Sequence, residues 1–467
     1  MPSAQIVDDA ALEQLRFMFR GDLIRPGDPD YEQARRVANG LIDRRPALIM
    51  RCTGTADVQA AVNFARDRGL PLAVRGGAHS VAGFSTIDDG VVIDLSRMRG
   101  VRVDPASATV RAQGGATWGD VDRETQVFGL ATPGGVVSTT GIGGLTTGGG
   151  FGILSPKHGL SCDNLIGADV VTADGKVVIA NERENADLFW GLRGGGGNFG
   201  VVTSFEYTLH PVTEIHVALL LHHTEAALDL LRFYRDYALD APPDLALLAV
   251  FITVPEEPPM PIFPAEILGK KMVGFIGAWP GTAEGAEKAF QPLRTFGRPA
   301  FELVLPMPYT MAQQFQDEDA PFGSYWYWKS AYVKELSNEL LETIAAKAPT
   351  SPSPRTQVMV TRLGGAIAAT PDDATAFPLR DAGYFVQMDS TWTDPAATDE
   401  NIVWTRAIHA AVEPHAMGRV YVNFIGDEGD DRVASAYGPD KYAKLVALKR
   451  KFDPANLFRS NQNIKPD

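Results

Sequence analysis

Short apolar runs alternate with amphipathic stretches over the first 210 residues of the chain. Three of the apolar runs, at residues 71–75, 90–95 and 108–112, are short and rich in aliphatic side chains. Runs of this length and composition predict short, buried strands.

Two amphipathic stretches in this half predict helices. Between residues 55 and 68, apolar side chains recur three and four positions apart, so we expect a helix that leads into the strand at 71–75. Thr55 is placed to cap this helix, and Asp57 lies in its first turn, where the helix dipole favours a negative charge. A second helix is expected over residues 117–128.

Residues 169–179 form a pattern typical of a β-hairpin. Two runs of β-branched residues flank the pair Asp174-Gly175. Because such a pair readily adopts positive φ angles, we expect a type I′ turn at these two residues.

The pattern changes after Pro211, where the apolar runs become longer and are separated by helical stretches. Helices are predicted at residues 224–239 and 338–348, and a basic amphipathic helix at 441–452. Groups of strands with helices between them indicate a mixed α+β domain. The predicted strands are 217–221, 245–254, 272–278, 357–364, 384–389 and 419–424.

Composition narrows the class of protein. The chain has 467 residues, of which 45% are hydrophobic and 21% charged, as expected for two or three globular domains or one large one. With a net charge of −14 and no basic patch, we expect no nucleic-acid partner. Two cysteines cannot form a zinc site alone, and we expect no metal. The N-terminus lacks the apolar core of a secretory signal and no apolar run spans a bilayer, so we expect a cytoplasmic protein without a membrane partner.

Glycine is concentrated in three places along the first half of the chain. Nine glycines lie between residues 134 and 152, four lie at 194–197, and two, Gly76 and Gly77, follow the predicted strand at 71–75. Backbone N–H groups in such loops form concave anion-binding nests. Flexible turns would show similar runs, but three runs beside predicted strands favour a cradle for a dinucleotide with a pyrophosphate.

One of these clusters matches a nucleotide-binding pattern by letter only. Residues 195–200 read GxGxxG, but a strand-like segment follows at 201–205, where a Rossmann unit needs a helix. No P-loop sequence is present either. We therefore expect a dinucleotide site of another kind.

Seven segments together form a recognisable pattern: residues 75–83, 131–135, 141–144, 148–152, 187–200, 421–424 and 452–458. In order and in sequence they resemble the FAD-linked oxidases of the vanillyl-alcohol-oxidase or PCMH type, in particular the berberine-bridge-enzyme-like group. The resemblance covers most of residues 45–210 and 419–466, and is loose in the middle of the chain. The cofactor that it implies is FAD.

The resemblance implies that His79 is joined covalently to the 8α-methyl group of FAD. Some relatives hold the flavin by a second bond, from a cysteine, but the corresponding segment here, residues 137–140, has none. We therefore expect a single attachment, with Cys162 and Cys52 as buried thiols and a second linkage through Cys162 as the alternative. An imidazole at this position withdraws electrons from the flavin, which should raise its reduction potential.

The other cofactor contacts are also inferred from the resemblance. Besides His79 they are Arg75, Gly76, Gly77, Ala78, Ser80, Gly83, Pro133, Gly134, Gly141, Gly143, Gly144, Gly148, Gly149, Gly152, Asn164, Gly200, Val201, Asn423 and Asn461.

Three residues are candidates for the catalytic group. The resemblance places Tyr421, in a Y-x-N sequence, at the active site, and a tyrosine needs a nearby cation or hydrogen bonds to act as a base near neutral pH. Lys329 is a candidate for that cation, with a solvated lysine as the alternative. Gln387 shares one strand face with Asp389, a face that points either to solvent or to a polar pocket.

The aromatic run before Lys329 divides between two faces of a strand. Tyr325, Tyr327 and Lys329 share one face, and Trp326 and Trp328 share the other. Either face could form the wall of a pocket for a planar or sugar-like substrate, or pack into the core.

The fold expected is α+β, a two-domain PCMH-type FAD-binding fold. The FAD-binding domain is predicted at residues 1–210, a substrate domain with an antiparallel sheet at 211–425, and a C-terminal segment returning to the first domain at 426–467. The predicted function is oxidation of a CH–OH or CH–NH group of a small molecule, with O2 as electron acceptor and H2O2 as product. A dehydrogenase with another acceptor and a binding protein without turnover are the alternatives.

Overall fold

The computed structural model describes Val7 and residues 9–258, 261–426 and 428–466. The extreme N-terminus, on which the prediction about a secretory signal depends, lies outside these residues. Within the described ranges, no helix combines the length and the apolar character needed to cross a bilayer.

The first half of the chain forms small sheets. Its strands are β1 (Asp22–Ile24), β2 (Leu48–Arg51), β3 (Leu72–Arg75), β4 (Val91–Asp94), β5 (Val101–Asp104), β6 (Thr109–Gln113), β7 (Leu130–Ala131), β8 (Leu165–Val171), β9 (Val177–Asn181), β10 (Val201–Thr208) and β11 (His210–Pro211). One sheet has the order β1-β2-β4-β3, with β4 parallel to β2 and β3. An antiparallel sheet has the order β5-β6-β10-β8-β9, and β7 pairs with β11.

A single large sheet follows. Its strands are β12 (Glu214–His223), β13 (Ala246–Thr253), β14 (Lys271–Trp279), β15 (Phe301–Pro308), β16 (Tyr325–Val333), β17 (Gln357–Arg362) and β18 (Tyr384–Trp392). Every pairing in the order β15-β12-β14-β13-β17-β18-β16 is antiparallel. This confirms the predicted fold class and the antiparallel sheet, while the exact domain boundaries stay a prediction.

The predicted helices are present, together with others that the pattern did not reveal. The helices are α1 (Asp9–Arg16), α2 (Tyr31–Ala34), α3 (Thr55–Asp67), α4 (Trp118–Gln126), α5 (Ile142–Thr147), α6 (Ser155–His158), α7 (Ala186–Leu192), α8 (Ala227–Asp240), α9 (Ala283–Thr295), α10 (Tyr309–Gln313), α11 (Asn338–Lys347), α12 (Ala366–Ala369), α13 (Thr398–Val412), α14 (Asp430–Tyr437) and α15 (Pro439–Phe452).

The start of α3 differs from the prediction. The helix begins at Thr55, but Gly54 occupies the cap position and offers no side chain. The carboxylate of Asp57 instead accepts the backbone N–H of Thr53 at 2.8 Å and that of Arg20 at 2.8 Å. The negative charge therefore lies in the first turn, as expected, and also fixes the preceding chain.

The hairpin of β8 and β9 is confirmed, but its predicted turn is wrong. The backbone N–H of Gly175 donates to the carbonyl of Thr172 at 2.9 Å, so the turn spans four residues with Ala173 and Asp174 at its centre. Only Gly175, with a φ of 79°, takes a left-handed conformation there. This is a turn of type I followed by a glycine bulge, which matches the strand twist as a I′ turn does.

Residues 419–424 were predicted as a strand and are not one. The segment contains a single 3₁₀ turn, Val422–Phe424. Val420 and Val422 enter the core of the first domain, whereas Tyr421 enters a different cluster with Phe377 and Phe385. The alternating pattern thus reflects packing between two cores, without a ladder partner.

The two faces of the seven-stranded sheet have different roles. One face carries Val386 and Met388 of β18 and is covered by helices α8, α9, α11 and α13. The other face carries Phe385, Gln387 and Asp389, which line a cleft shared with the first domain. The helices therefore support the sheet from behind and leave its second face for a site.

The C-terminal helices pack against the first domain. Leu445 and Leu448 of α15 join the core that contains Phe199 and Val110. The Nζ atom of the fully buried Lys449 bonds to Asp453 at 2.7 Å and to the carbonyl of Asn198 at 2.9 Å. Because an unpaired buried charge would be strongly unfavourable, this pair fixes the end of the chain next to the glycine cluster at 194–197.

Candidate active site

A deep cleft separates the glycine-rich loops of the first domain from the open face of the seven-stranded sheet. Its cavity has a volume of about 450 Å³, and its walls include the loops at 76–80, 141–145 and 196–197 and the strands β17 and β18. The three glycine clusters, far apart in sequence, therefore face one space.

Two of the glycine loops are in backbone contact. A Cβ atom at Gly77 would lie 2.2 Å from the backbone nitrogen of Gly141, and one at Gly141 would lie 2.3 Å from the nitrogen of Gly77. Neither position can carry a side chain without separating the loops. The close approach brings His79 next to the loop at 136–140.

His79 lies at one end of the cleft, on a loop with local strain. The preceding residue, Ala78, has a φ of 61°, which is uncommon for a residue with a Cβ atom. The Nε2 atom of His79 lies 3.0 Å from the hydroxyl of Thr139, and its ring centroid lies 5.7 Å from that of Trp326. Burial lowers the pKa of His79 to about 4, against an opposing effect of Asp317. The imidazole is therefore neutral at pH 7.

The sheet face opposite the loops carries a row of side chains. In the strand register, Asp389 lies directly between Trp328 of β16 and Gln357 of β17. All three line the cleft. The Oδ1 atom of Asp389 and the indole nitrogen of Trp328 are enclosed and have no hydrogen-bond partner among the described residues. Unpaired buried polar atoms are rare, so this row is suited to a polar ligand.

Asp389 is set up to hold a proton near neutral pH. Burial raises its pKa to about 8; a hydrogen bond from Gln387 opposes the shift and nearby Asp319 adds to it. Gln387 also accepts a hydrogen bond from the Thr361 hydroxyl at 3.3 Å. Gln387 is thus oriented towards both the carboxyl group and the cleft.

Tyr421 lies where the two halves of the site meet. Its hydroxyl accepts the backbone N–H of Gly150 at 3.0 Å and the amide N–H of Asn423 at 2.9 Å. The ring packs edge-on against Phe151, with centroids 4.9 Å apart. Burial raises the pKa of Tyr421 above its ordinary value, and the two hydrogen bonds only partly offset this.

Lys329 is placed differently from its predicted role. It lies on the face of β16 that carries Tyr327, and its ammonium bonds to Glu428 at 2.6 Å. It is not among the residues lining the cleft. Its charge is used in an ion pair with Glu428, and within the described residues no lysine or arginine bonds to the Tyr421 hydroxyl.

The other predicted cofactor residues divide between the cleft wall and its support. Arg75 is buried and donates to the carbonyls of Ala34 and Arg35, and Asn164 donates to those of His158 and Leu160. Those on the wall are Gly76, Gly77, Ala78, Ser80, Gly141, Gly143, Gly144, Gly152, Gly200, Val201, Asn423 and Asn461. Those behind it are Arg75, Gly83, Pro133, Gly134, Gly148, Gly149 and Asn164.

The two cysteines lie away from the cleft wall. Both are fully buried and unpaired with each other. Burial raises the pKa of the Cys52 thiol and that of the Cys162 thiol. Raised values keep the thiols protonated and poorly nucleophilic. In the described part of the chain, no cluster of three or more histidine, cysteine, aspartate or glutamate side chains could hold a metal ion.

The structure adds residues that the sequence reasoning did not select. Asp319, Gln357 and Arg355 line the sheet side of the cleft, and so does Trp328, which lies on one of the two faces of the aromatic run that the sequence offered as a pocket wall. The alternation along 384–389 places Asp389 on the same strand face as Gln387, but the pattern does not distinguish it as a catalytic group. Asp319 lies in an irregular segment before β16, and no local pattern distinguishes it from a surface acid.

Comparison with known proteins agrees with this architecture. The family model described as an FAD binding domain matches residues 46–181, and the one described as berberine and berberine-like matches residues 420–465. An FAD-linked oxidoreductase of Dictyostelium discoideum is 34% identical over 453 residues, which cover 96% of this chain and 95% of that protein. The fold and the cleft therefore define an FAD-dependent oxidoreductase.

More specific relatives narrow the group. (R)-6-hydroxynicotine oxidase of Paenarthrobacter nicotinovorans is 30% identical, with 96% of this chain and 97% of that protein covered. The crystal structure of 6-hydroxy-D-nicotine oxidase from Arthrobacter nicotinovorans matches with a TM-score of 0.85 and 28% identity, covering 96% of this chain and 98% of that one. The chain belongs to the PCMH-type, berberine-bridge-enzyme-like family of FAD-linked oxidoreductases.

The residues of the cleft fit FAD. Gly144 and Gly197 line the cleft, and a Cβ atom at either would meet no protein atom within 4 Å, so both leave room for a ligand against the backbone. The Ser85 hydroxyl and the side-chain amide oxygen of Asn461 also lie on the cleft wall, and both are buried without hydrogen-bond partners among the described residues. Open glycines and unpaired polar atoms along one wall are what a dinucleotide requires.

Proposed function

We propose that this protein is an oxidase that takes a hydride from a CH–OH or CH–NH group of a small organic substrate and passes the electrons to O2, giving H2O2. The observation that carries the proposal is the enclosed carboxyl group of Asp389, whose Oδ1 atom has no hydrogen-bond partner among the described residues, on the sheet face opposite the glycine loops. When bound, FAD supplies the hydride acceptor.

Asp389 is proposed to take the proton of the substrate's O–H or N–H group. A general base works best when its pKa lies near the working pH, and that of Asp389 is about 8. Gln387, which touches Asp389 and lines the cleft, would orient the same heteroatom. Trp328, directly across the strands from Asp389, offers its ring and an unpaired N–H to the substrate.

Tyr421 is proposed to fix the position of the flavin-binding loop relative to the substrate. Its hydroxyl is engaged by Gly150 and Asn423, and no described cation bonds to it. Its raised pKa makes it a weaker candidate for the base than Asp389. We therefore propose that Tyr421 contacts and positions the substrate and does not act as the base.

His79 is proposed as the single covalent tether of FAD. The neutral imidazole has a free lone pair for bonding to carbon, and neither cysteine lines the cleft. A glucooligosaccharide oxidase from Acremonium strictum, which shares the fold with a TM-score of 0.85 and 24% identity, has a 6-S-cysteinyl, 8α-N1-histidyl FAD. A cytoplasmic location stays a prediction.

Anaerobic reduction tests the reaction. Sugars, alcohols and cyclic amines are mixed with the enzyme without oxygen, and the flavin absorbance is followed. We expect bleaching by at least one CH–OH or CH–NH compound, then rapid recovery on adding O2 with one H2O2 per flavin. Slow recovery without H2O2 would instead support a dehydrogenase with another acceptor.

Acid precipitation tests the tether. The yellow colour should remain with the precipitated parent protein and be released from His79→Ala. His223→Ala, at an exposed histidine of β12, is the matched control and should behave as the parent. Colour that stays with His79→Ala would contradict single attachment through this residue.

A further inference from the structure

Hydrogen bonds at two neighbouring residues, Thr139 and Ser138, connect His79 to the second domain. The Nε2 atom of His79 lies 3.0 Å from the Thr139 hydroxyl. The neighbouring Ser138 donates its backbone N–H and its hydroxyl to the two oxygens of Asp317, both at 2.6 Å. Asp317 precedes β16, so a carboxylate from the substrate-binding half holds the loop that touches the histidine.

The loop at 137–140 is also fixed from its other side. The carbonyl of Ser138 accepts the N–H of Gly119 at 2.8 Å, and that of Thr140 accepts the N–H of Trp118 at 3.0 Å. Both donors belong to the first turn of α4. With Asp317 on one side and α4 on the other, the Thr139 hydroxyl has a defined position, although its side chain is exposed at the rim.

The contact with Thr139 distinguishes the two nitrogens of His79. A neutral imidazole has one N–H and one lone pair, and a hydrogen bond at one nitrogen decides which is which. If the Nε2–H group donates to Thr139, the lone pair is on Nδ1. The negative charge of Asp317 favours positive charge on the ring, as its effect on the pKa of His79 shows.

We propose that Thr139 and Asp317 are positioning residues for flavin attachment, which hold the imidazole of His79 through its Nε2 atom in the orientation that the bond requires. This inference rests on the proposed covalent attachment. Overall, one C–H bond of the 8α-methyl group and the imidazole N–H bond are lost, and one C–N bond forms. The two protons and two electrons released reduce one O2 to H2O2. The ring is positively charged between C–N bond formation and loss of the Nε2 proton, and Thr139 and Asp317 stabilise it in that interval.

A second consequence is that attachment depends on contact between the two halves of the protein. His79 and Thr139 belong to the first domain. Asp317 and Trp326, whose ring centroid lies 5.7 Å from that of the imidazole, belong to the second. The tether would therefore form only after the domains have packed together.

The test measures covalent flavin in full-length variants. Parent, Thr139→Val, Thr139→Ser and Asp317→Asn proteins are incubated with FAD and O2, and attached flavin is followed by in-gel fluorescence and intact mass. One net hydrogen bond corresponds to a change of about fivefold, so Thr139→Val should attach about fivefold more slowly. Thr139→Ser should recover the parent rate, and Asp317→Asn should attach more slowly than the parent. NMR of the isolated flavin peptide should place the bond at Nδ1.

Two controls separate positioning from general damage. Thr213→Val makes the same change at an exposed threonine that does not line the cleft, and it should match the parent. Ser138→Ala removes one bond to Asp317 but keeps its charge, and it should lose less than Asp317→Asn. A bond at Nε2, or Thr139→Val attaching at the parent rate, would overturn the inference. If acid releases the flavin from the parent, the attachment proposal fails as well, while substrate-driven bleaching would still report the oxidoreductase.

Discussion

The hydroxyl of Tyr421 accepts the backbone N–H of Gly150 at 3.0 Å, a contact between residues 271 positions apart in the sequence. The amide of Asn423 donates to the same oxygen and also to the carbonyl of Leu145 at 3.2 Å. One phenol oxygen therefore links the C-terminal segment to the glycine loop that borders the cleft.

Replacing Tyr421 by phenylalanine should loosen this loop. The change leaves the buried N–H of Gly150 without its acceptor, which costs about 1–3 kcal/mol. We expect a lower free energy of unfolding in denaturant and a shifted flavin spectrum. Tyr234→Phe is the matched control, since Tyr234 is fully buried and donates to a carbonyl in the helix-side core. Tyr234→Phe should lower the free energy of unfolding and keep the flavin spectrum of the parent. If the two variants had the same flavin spectrum, the link between Tyr421 and the glycine loop would be contradicted.

Replacing Asp389 by asparagine should remove the base. We expect substrate-driven flavin reduction to slow by about a hundredfold or more, the usual contribution of a positioned base. Because the base acts when it is ionised, the parent rate should rise with pH through about 8, while the variant should be insensitive in that range. Asp381→Asn, at an exposed carboxylate, is the control. An unchanged pH profile in Asp389→Asn would assign the proton to another group.

The same substitution should stabilise the fold at neutral pH. With a folded pKa of about 8 and an ordinary value of 3.8, Asp389 binds its proton more tightly in the folded state. The parent should therefore lose stability as pH rises between these values, and Asp389→Asn should not show this part of the loss. Denaturant titrations at pH 5 and pH 8 compare the two; parallel behaviour would show that the carboxyl group is not enclosed as described.

An alanine at Gly144 should interfere with flavin binding without disturbing the fold. A Cβ atom there meets no protein atom within 4 Å, but Gly144 lines the cleft. We expect a parent-like unfolding midpoint with reduced flavin content, measured as the ratio of flavin to protein absorbance. Gly54→Ala, where a Cβ atom is equally unhindered but lies away from the cleft, should keep its full flavin content.

A stacked histidine pair should make the protein sensitive to acid. The rings of His158 and His210 lie 3.8 Å apart, and burial, followed by the charges of His210 and Lys157, lowers the pKa of His158 to about 4. Since the unfolded chain takes up the proton near pH 6.5, stability should fall as pH drops from about 6.5 to about 4.

His158→Phe tests this pH dependence, because it keeps an aromatic ring next to His210 and removes one titrating group. The loss of stability in acid should become smaller, as measured by unfolding midpoints across that range. An identical decline in both proteins would assign the acid sensitivity to other groups.

Much of the cofactor half of this protein could be predicted from short stretches of sequence. The helix Thr55–Asp67, the strands around it and the loops at 76–83 and 141–152 depend on local periodicity and on where glycine is tolerated, and these signals are complete within about ten residues. For the same reason, the family resemblance was carried by these loops and by the C-terminal segment.

The arrangement of the candidate catalytic residues depends on contacts between residues that are distant in the sequence. Lys329 has a different partner from the one expected because Glu428 lies 99 positions later and meets it only in the folded chain. The segment 419–424 alternates like a strand, yet it packs between two cores and pairs with no described strand.

The flavin-binding loops and the candidate tether are evident from the sequence because each follows from residue types within one local segment, and the α+β class follows from the order of strand and helix patterns along the chain. The identity of the candidate base, and of the hydroxyl that touches His79, depends instead on how distant segments pack together. The raised pKa of Asp389 comes from burial beneath strands and loops distant in sequence, and burial is a property of the packed chain rather than of any one segment.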